Sequence, residues 1–153
     1  SGGPLVDIDG KAIGINAAIV FGAQNLGFAI PINYAKRDLA DVKKFGRIKR
    51  PLLGLRYLTL DENMREKMKL SVDGGAMIAG QPPHTPGVIP GSPAHKAGLK
   101  EKDIILECDG IKITPNQTIQ DVLEEKEVGD TLNLKMMRGK KTFTAKVKLT
   151  ERK

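Results

Sequence analysis

The first residue, Ser1, carries a hydroxyl group and is followed directly by Gly2 and Gly3. An exposed hydroxyl on a tight turn requires close backbone approach, which glycine allows because it has no β-carbon. A serine of this kind can attack a carbonyl carbon, but its hydroxyl is a weak nucleophile until a neighbouring base takes the proton. The histidines of the sequence, His84 and His95, lie far downstream, so the local sequence supplies no base beside Ser1.

Two other interpretations of Ser1 follow from the residues alone. An N-terminal serine can use its own α-amine as the base, as N-terminal nucleophile hydrolases do. Alternatively, Ser1 is a leftover residue beside an ordinary Gly-Gly turn and has no catalytic role. Only a longer pattern of residues can distinguish these alternatives.

The composition indicates a folded globular chain. Of the 153 residues, 40% are hydrophobic and 28% are charged, which is not typical of disordered or fibrous sequences. The net charge of +7 is spread over several short runs, and four Phe, two Tyr and no Trp leave few side chains to stack on bases. Nothing therefore favours nucleic-acid binding. No apolar run approaches the ~18 residues of a membrane helix.

The residue types that bind metals or form disulfides are sparse. A single cysteine, Cys108, cannot form an intrachain disulfide, and it is predicted to be a buried, unreactive thiol, because free cysteine is among the most buried residue types. His84 has no partner at metal-ligand spacing. The sequence predicts neither a metal site nor a cofactor.

Residues 1 to about 31 are predicted to form glycine-punctuated strands, namely Pro4–Val6, Ala12–Val20 and Gly27–Pro31, with a hairpin turn at Asp9-Gly10. About 30 residues of strand bury too little apolar surface to stand alone, so this β meander is expected to belong to a larger barrel. Asn33 is predicted to cap a helix that runs to about Phe45 and stops at Gly46.

The rest of the chain predicts a linker at 47–51 and a compact α+β domain at 52–151. The predicted helices are Glu62–Leu70, Pro93–Ala97 and Gln117–Glu125. The predicted strands are Leu53–Thr59, Gly75–Ala79, Val88-Ile89, Ile104–Cys108, Thr131–Arg138 and Thr142–Leu149.

A longer pattern in the first 31 residues resembles the end of the protease domain of HtrA (DegP-like) serine proteases, which have a chymotrypsin-like β-barrel. The blocks that carry the resemblance are Ser1-Gly2-Gly3-Pro4-Leu5, Asp9-Gly10-Lys11-Ala12-Ile13-Gly14-Ile15-Asn16 and Gly27-Phe28-Ala29-Ile30-Pro31. The resemblance implies that Ser1 is the nucleophile and that its own N–H is one donor to the oxyanion. It also implies a substrate-pairing strand and specificity pocket at Asn16, Ala17, Ala18 and Ile19.

In this family the histidine and aspartate of the triad precede the serine, so the 153 residues alone are expected to be inactive. The resemblance implies a parent that is a homo-oligomeric, extracytoplasmic endopeptidase of protein quality control, located in the periplasm or cell envelope. Its partners would be peptides and unfolded proteins. The alternative is a peptide-binding module with no catalytic role.

The second domain resembles a PDZ domain in the permuted order of HtrA proteases. The residues that carry this resemblance are Arg50-Pro51-Leu52-Leu53-Gly54-Leu55, Pro90-Gly91-Ser92-Pro93-Ala94, Ala97-Gly98-Leu99, Asp103-Ile104-Ile105, Asp109-Gly110, Gly129-Asp130-Thr131-Leu132 and Arg138-Gly139. The fold class expected for the whole chain is therefore mainly β and α+β: a truncated chymotrypsin-like β-barrel segment followed by a permuted PDZ domain with two or three short helices.

A PDZ domain binds peptides chiefly through its backbone. The loop Leu53-Gly54-Leu55 is expected to turn its N–H groups toward a C-terminal carboxylate, preferably of a peptide with an apolar last residue. The strand through Arg56 and Tyr57 would pair with the peptide, and the facing wall would include two helix residues four apart, Thr118 and Val122. Arg50 either assists the carboxylate or is merely solvated.

One segment departs from the family pattern. Residues 80–87 interrupt what is usually one strand, and their three prolines remove backbone donors. This segment is expected to be either a tolerated surface insertion or a loop that contacts a neighbouring subunit or the protease domain.

Overall fold

The structure is a computed structural model that describes residues 2–19, 27–81 and 85–152. The chain divides into two compact units, residues 1–49 and residues 50–153. The domain limits predicted from the sequence, 1–46, 47–51 and 52–151, remain a prediction. Among the described residues, no helix is long and apolar enough to cross a membrane.

The first unit contains a three-stranded antiparallel sheet in the order β1 (Pro4–Val6), β2 (Ala12–Ile19), β3 (Gly27–Pro31). The predicted hairpin turn is present: Gly10 has a φ of 76°, and its N–H donates to the Asp7 carbonyl at 3.0 Å. The Asp7 carboxylate fastens the same turn, because its Oδ1 accepts the N–H groups of Asp9 and Lys11. A β-bulge interrupts the β2–β3 register between Asn16 and Ala18.

Helix α1 (Ile32–Phe45) follows β3 without a break. The predicted cap at Asn33 is wrong, because Pro31 occupies the cap position and Asn33 is the second helical residue. No side chain among the described residues caps the helix, because the chain passes directly from strand to helix through the fixed φ of proline. The predicted stop is confirmed: Gly46 is left-handed, with φ 71°, and its N–H donates to the Val42 carbonyl at 2.9 Å.

The first unit has almost no core of its own. Only Gly14 is buried among the described residues of this unit for which a burial class is assigned, 2–17 and 27–49. Large apolar side chains remain exposed on the sheet and on α1, among them Val6, Phe28, Leu39 and Val42. This exposure agrees with the expectation that the meander is one part of a larger apolar assembly.

The second unit has three short helices: α2 (Glu62–Lys67), α3 (Pro93–Lys96) and α4 (Ile119–Glu124). Its strands are β4 (Pro51–Leu52), β5 (Tyr57–Thr59), β6 (Ala76–Ile78), β7 (Ile104–Cys108), β8 (Ile111–Lys112), β9 (Thr131–Arg138), β10 (Lys141–Lys148) and β11 (Thr150–Glu151). The main sheet has the order β10-β9-β7-β6-β5, β8 pairs with β7, and β11 pairs with β4. All the pairings are antiparallel.

Two apolar cores lie in this unit. The main core is formed by Leu53, Ala76, Ile78, Ala94, Leu99, Ile105, Cys108, Ile113, Ile119, Val122, Leu132, Leu134, Met136, Val147 and Leu149. A second core contains Leu60, Met77, Ile104 and Met137. Neighbouring residues of one strand enter different cores, as Ile104 and Ile105 do, because successive side chains of a strand point to opposite faces.

The observed elements differ from the predicted ones in the irregular parts of this unit. The strand predicted over 53–59 is divided: Gly54, with φ 83°, interrupts it, and regular pairing resumes at Tyr57. The helix predicted to reach Leu70 ends at Lys67, since Lys69 turns left-handed with φ 51°. Three smaller differences remain. Strand β8 was not predicted, and the strand predicted at Val88-Ile89 is a single bridge from Val88 to Leu55. Pro51, predicted to lie in a linker, pairs with Glu151.

A buried carboxylate ties the end of β9 to the loop before β7. Asp103 is fully buried, and its carboxylate accepts two hydrogen bonds from Arg138, both of 2.7 Å, and one from the Lys100 N–H. The same guanidinium donates to the Gly98 carbonyl at 2.9 Å and lies 5.0 Å from the Phe143 ring centroid. The Asp103 hydrogen bonds raise the pKa of Arg138, so this cation is permanent.

We expect Arg138→Met to lower the free energy of unfolding by more than Lys135→Met does, because it leaves a buried carboxylate without its cation. Urea unfolding followed by circular dichroism measures this loss. Lys135→Met is the matched control: it removes the partner of Glu107, but half of the Lys135 side chain is exposed, so the loss should stay below ~1 kcal/mol. Equal losses in the two variants would contradict the role given to Asp103.

The Cys108 thiol is fully buried in the main core, as the sequence predicted. Burial, assisted by the nearby Asp109 carboxylate, raises its pKa to about 12, so the thiolate is scarce at neutral pH. We expect Ellman's reagent at pH 8 to react with Cys108 only as fast as the second unit opens. Fast reaction in native buffer, at the rate of an exposed thiol, would contradict this burial; the chain unfolded in urea gives the reference rate.

Candidate peptide-binding groove

The loop Leu53-Gly54-Leu55 is held by its carbonyl groups. The Leu53 carbonyl accepts the Ala94 N–H at 2.9 Å, and the Gly54 carbonyl accepts the Ser92 hydroxyl at 3.0 Å. A β-carbon added to Gly54 would lie 2.2 Å from the Ser92 β-carbon, so only glycine fits here. The N–H groups of Leu53, Gly54 and Leu55 donate no hydrogen bond within the described part of the chain. Such N–H groups can receive an anion.

Strand β5 is an edge strand of the main sheet, and one side of its backbone is open. The Arg56 carbonyl and the Leu60 N–H form hydrogen bonds of 3.1 and 2.8 Å with residues flanking β6. Hydrogen-bonding direction alternates along an antiparallel strand, so Tyr57 and Thr59 direct their N–H and C=O groups away from β6. An extended peptide can add to this open edge.

Leu55 extends the same edge back to the loop. It forms an isolated antiparallel bridge with Val88, in which the residues flanking Leu55 bond to the residues flanking Val88 at 2.7 and 3.0 Å. In that geometry the N–H and C=O of Leu55 itself point to the open side. Leu55, Tyr57 and Thr59 therefore present their backbone groups in one row, and the row begins at the glycine loop.

Helix α4 faces the same side through Tyr57. The Tyr57 hydroxyl accepts the Gln120 N–H at 3.2 Å, which fixes the first turn of α4 to β5. The Thr118 hydroxyl and the Asp121 carboxylate form a capping box at the start of the helix. Val122 is 2% exposed and belongs to the main core. Of the two predicted wall residues, Thr118 thus caps the helix and Val122 supports it from within.

The two predicted arginines are engaged elsewhere. The Arg50 guanidinium lies 3.6 Å from the Glu124 carboxylate near the end of α4. The Arg56 guanidinium donates to the Pro86 carbonyl at 2.8 Å. Sequence reasoning missed the Tyr57–Gln120 bond and the Arg50–Glu124 pair because each joins residues more than 60 positions apart.

The segment 80–87 is firmly anchored at its base. Gln81 and Thr85 exchange two backbone hydrogen bonds of 3.0 Å, and the Gly87 N–H donates to the Glu101 carboxylate at 2.7 Å. A β-carbon on Gly80 would lie 2.1 Å from the Thr85 carbonyl oxygen, so glycine is required where the two limbs meet. His84 lies outside the described residues. Whether the segment contacts a partner or is a tolerated insertion stays a prediction.

The residues predicted for peptide cleavage are only partly described. Ser1 and the side chains of Ala18 and Ile19 lie outside the described part of the chain. Asn16 is bonded to the N-terminal residues: its N–H donates to the Gly3 carbonyl at 2.9 Å and its carbonyl accepts the Gly2 N–H at 2.6 Å. Ala17 lies in the bulge of β2. No group of three or more potential metal ligands occurs among residues 2–19, 27–81 and 85–152.

The family model of the PDZ domain matches residues 52–149, so this chain belongs to the PDZ domain family. It is homologous over nearly its whole length to HtrA and DegP serine proteases. It is 38% identical over 145 residues to a putative serine protease HhoB of Synechocystis sp., and the alignment covers 92% of this chain and 34% of that protein. It is 35% identical to a serine protease Do-like HtrA of Bacillus subtilis, and that alignment covers 99% of this chain and 34% of the relative.

The structure is also similar to solved HtrA proteases. It matches the HtrA-type protease AlgW, solved with a decapeptide, with a TM-score of 0.76 and 27% identity over 100% of this chain and 46% of that one. The predicted family and the predicted fold class are thereby confirmed. The chain spans about a third of the length of the curated relatives named above.

The Tyr57 hydroxyl offers a direct test of the groove geometry. Burial raises its pKa above the usual value, although the bonds with Gln120 and Thr118 act in the opposite direction. The stability from this neutral phenol is complete below about pH 10 and is lost as the pH rises through the folded pKa. In a pH titration followed by phenolate absorbance, we expect Tyr57→Phe to remove the absorbance rise that occurs above the usual tyrosine pKa. The matched control, Tyr34→Phe, should keep this rise. A rise that survives Tyr57→Phe would contradict the contact between Tyr57 and Gln120.

Proposed function

We propose that the second unit captures the C-termini of peptides and unfolded proteins by strand addition. The observation that carries the proposal is the open row of backbone groups at Leu55, Tyr57 and Thr59, which starts at a loop with three N–H groups that donate to none of the described residues. A peptide strand would pair with this row, and its terminal carboxylate would bind at Leu53-Gly54-Leu55. Main-chain bonds of this kind do not depend on the peptide sequence, so selectivity must come from side chains.

The preference for an apolar last residue follows from the surroundings of the loop. Leu53 is buried in the main core, and Leu55 and Tyr57 pack against it while partly exposed. A peptide side chain directed at this face would meet aliphatic and aromatic carbon, and its transfer from water is favourable by ~25 cal/mol per Å². Arg50 is proposed to assist the carboxylate only if it leaves Glu124, so its contribution should be small.

The intact parent is proposed to be an extracytoplasmic, homo-oligomeric serine endopeptidase of protein quality control. Ser1 would be the nucleophile and Asn16 to Ile19 would contact the substrate strand and the residue before the cut. The support is the homology to proteins named as serine proteases, including a periplasmic serine endoprotease DegP of Salmonella typhimurium at 32% identity. His95 accepts a hydrogen bond from the Gly91 N–H within the second unit, and the triad His and Asp of the parent are proposed to precede Ser1.

The second candidate is a peptide-binding module without catalysis. Its supporting observation is that the family model that matches most of the chain, over residues 52–149, is that of the PDZ domain. A protease assay on the parent protein and its Ser1→Ala form distinguishes the two candidates. Hydrolysis that the substitution abolishes supports the enzyme, whereas equal inactivity of both forms supports the module.

Peptide binding is tested by fluorescence anisotropy with a labelled peptide that ends in an apolar residue, as the free acid and as the amide. A carboxylate bound by backbone N–H groups is held by charge-assisted hydrogen bonds, so the free acid should bind about 10–100-fold more tightly. Equal affinity of the two peptides would exclude the loop as a carboxylate site. It would leave recognition of internal strands.

Gly54→Asp should remove the preference for the free acid, because its side chain collides with Ser92 and brings a negative charge to the loop. Gly110→Asp is the matched control: Gly110 has nearly the same φ, 81° against 83°, and nothing within 4 Å of an added β-carbon. Circular dichroism establishes that both variants are folded. Loss of the preference in both variants would point to backbone strain rather than to the loop.

A further inference from the structure

The opposite end of the main sheet also has an open edge, along β10. The Leu149 N–H donates to the Asp130 carbonyl at 2.8 Å. With the register of the two strands, this bond shows that the odd-numbered residues of β10 are the ones that bond to β9. By the alternation of an antiparallel pair, Thr144, Lys146 and Lys148 direct their N–H and C=O groups away from β9. Nothing in the described residues pairs with these backbone groups.

Helix α3 lies beside this edge and makes a groove of it. A depression of about 340 Å³ is lined by Pro93, Lys96 and Ala97 from the α3 segment and by residues 146–150 from the strand. Two of its lining residues, Val147 and Leu149, are each 1% exposed and belong to the main core, so the depression lies over that core. An edge strand beside a helix is the same arrangement that forms the β5 groove.

The charge of this groove is entirely positive. Lys96, Lys146 and Lys148 line it, and no carboxylate does. These ammonium groups form no ion pair or hydrogen bond within the described part of the chain, whereas Lys126 and Lys135 are both paired with carboxylates. Lysines on an edge also keep sheets from aggregating, but that role does not require a groove.

We propose that the β10 edge is a second strand-addition site, which receives an internal, extended segment of an acidic partner protein. The side chains of Lys146 and Lys148 are on the same face of β10, about 7 Å apart, since alternate residues of a strand are separated by twice ~3.3 Å. Acidic residues at alternate positions of the added strand have the same spacing. The partner would thus be selected by charge at every second residue and held by main-chain hydrogen bonds.

The experiment uses a labelled peptide of alternating Glu and Val, acetylated and amidated so that it has no free carboxylate terminus. Fluorescence anisotropy with the 153-residue chain should show binding that weakens as salt rises. Lys146→Glu with Lys148→Glu should lower the affinity about tenfold or more. Lys67→Glu with Lys112→Glu, two exposed lysines outside the groove lining, is the matched double control and should lower it less than threefold.

Two further measurements separate strand addition from general charge attraction and from the β5 groove. A peptide N-methylated at alternate residues should bind at least tenfold more weakly, because it cannot donate the main-chain bonds. An excess of the unlabelled free-acid peptide that ends in an apolar residue should leave binding unchanged, which keeps this result independent of the carboxylate loop. Absence of binding, equal losses in the two lysine doubles, full binding of the N-methylated peptide, or displacement by the free-acid peptide would each overturn the proposal.

Discussion

The contact between Gly54 and Ser92 is the constraint on which the peptide groove depends. It leaves no space for a β-carbon, and it forces the backbone into a conformation that interrupts the strand. The interruption turns the carbonyl groups of the loop inward, where Ser92 and Ala94 bind them, and leaves the N–H groups without acceptors in the described part of the chain. The same Ser92 also caps α3 by accepting the His95 N–H, so one side chain fixes both the loop and the helix next to it.

The regular parts of the fold were predictable because their signal is local. β7 was predicted with its observed bounds, since the apolar run Ile104 to Leu106 begins it and the turn residues Asp109-Gly110 follow it. β9 alternates exposed and buried side chains from Thr131 to Met136, which its sequence shows directly. Turn glycines such as Gly10 and Gly46 were predictable for the same reason, because positive φ is a property of the single residue.

What the sequence could not supply are contacts between distant segments. The interruption at Gly54 requires knowledge of Ser92, 38 residues later, and the Tyr57 hydroxyl meets Gln120 63 residues away. The assignment of Thr118 and Val122 to the groove wall rested on helical spacing alone, which cannot tell the side of a helix that faces a core from the side that faces a ligand. For Asn33, the local preference for a polar cap gave way to the strand that runs directly into α1.

The short β4–β11 ladder determines how the second unit responds to mechanical force. The chain enters this unit at Arg50 and leaves it at Arg152, and these two residues are joined by a hydrogen bond of 2.8 Å at the outer end of the ladder. A load applied between the two ends would pull perpendicular to the strands and open the ladder one bond at a time, beginning at this outermost bond. The main sheet would carry no load until the ladder had opened, and the next residues to be loaded would be those of the Leu53-Gly54-Leu55 loop, which follows β4 directly.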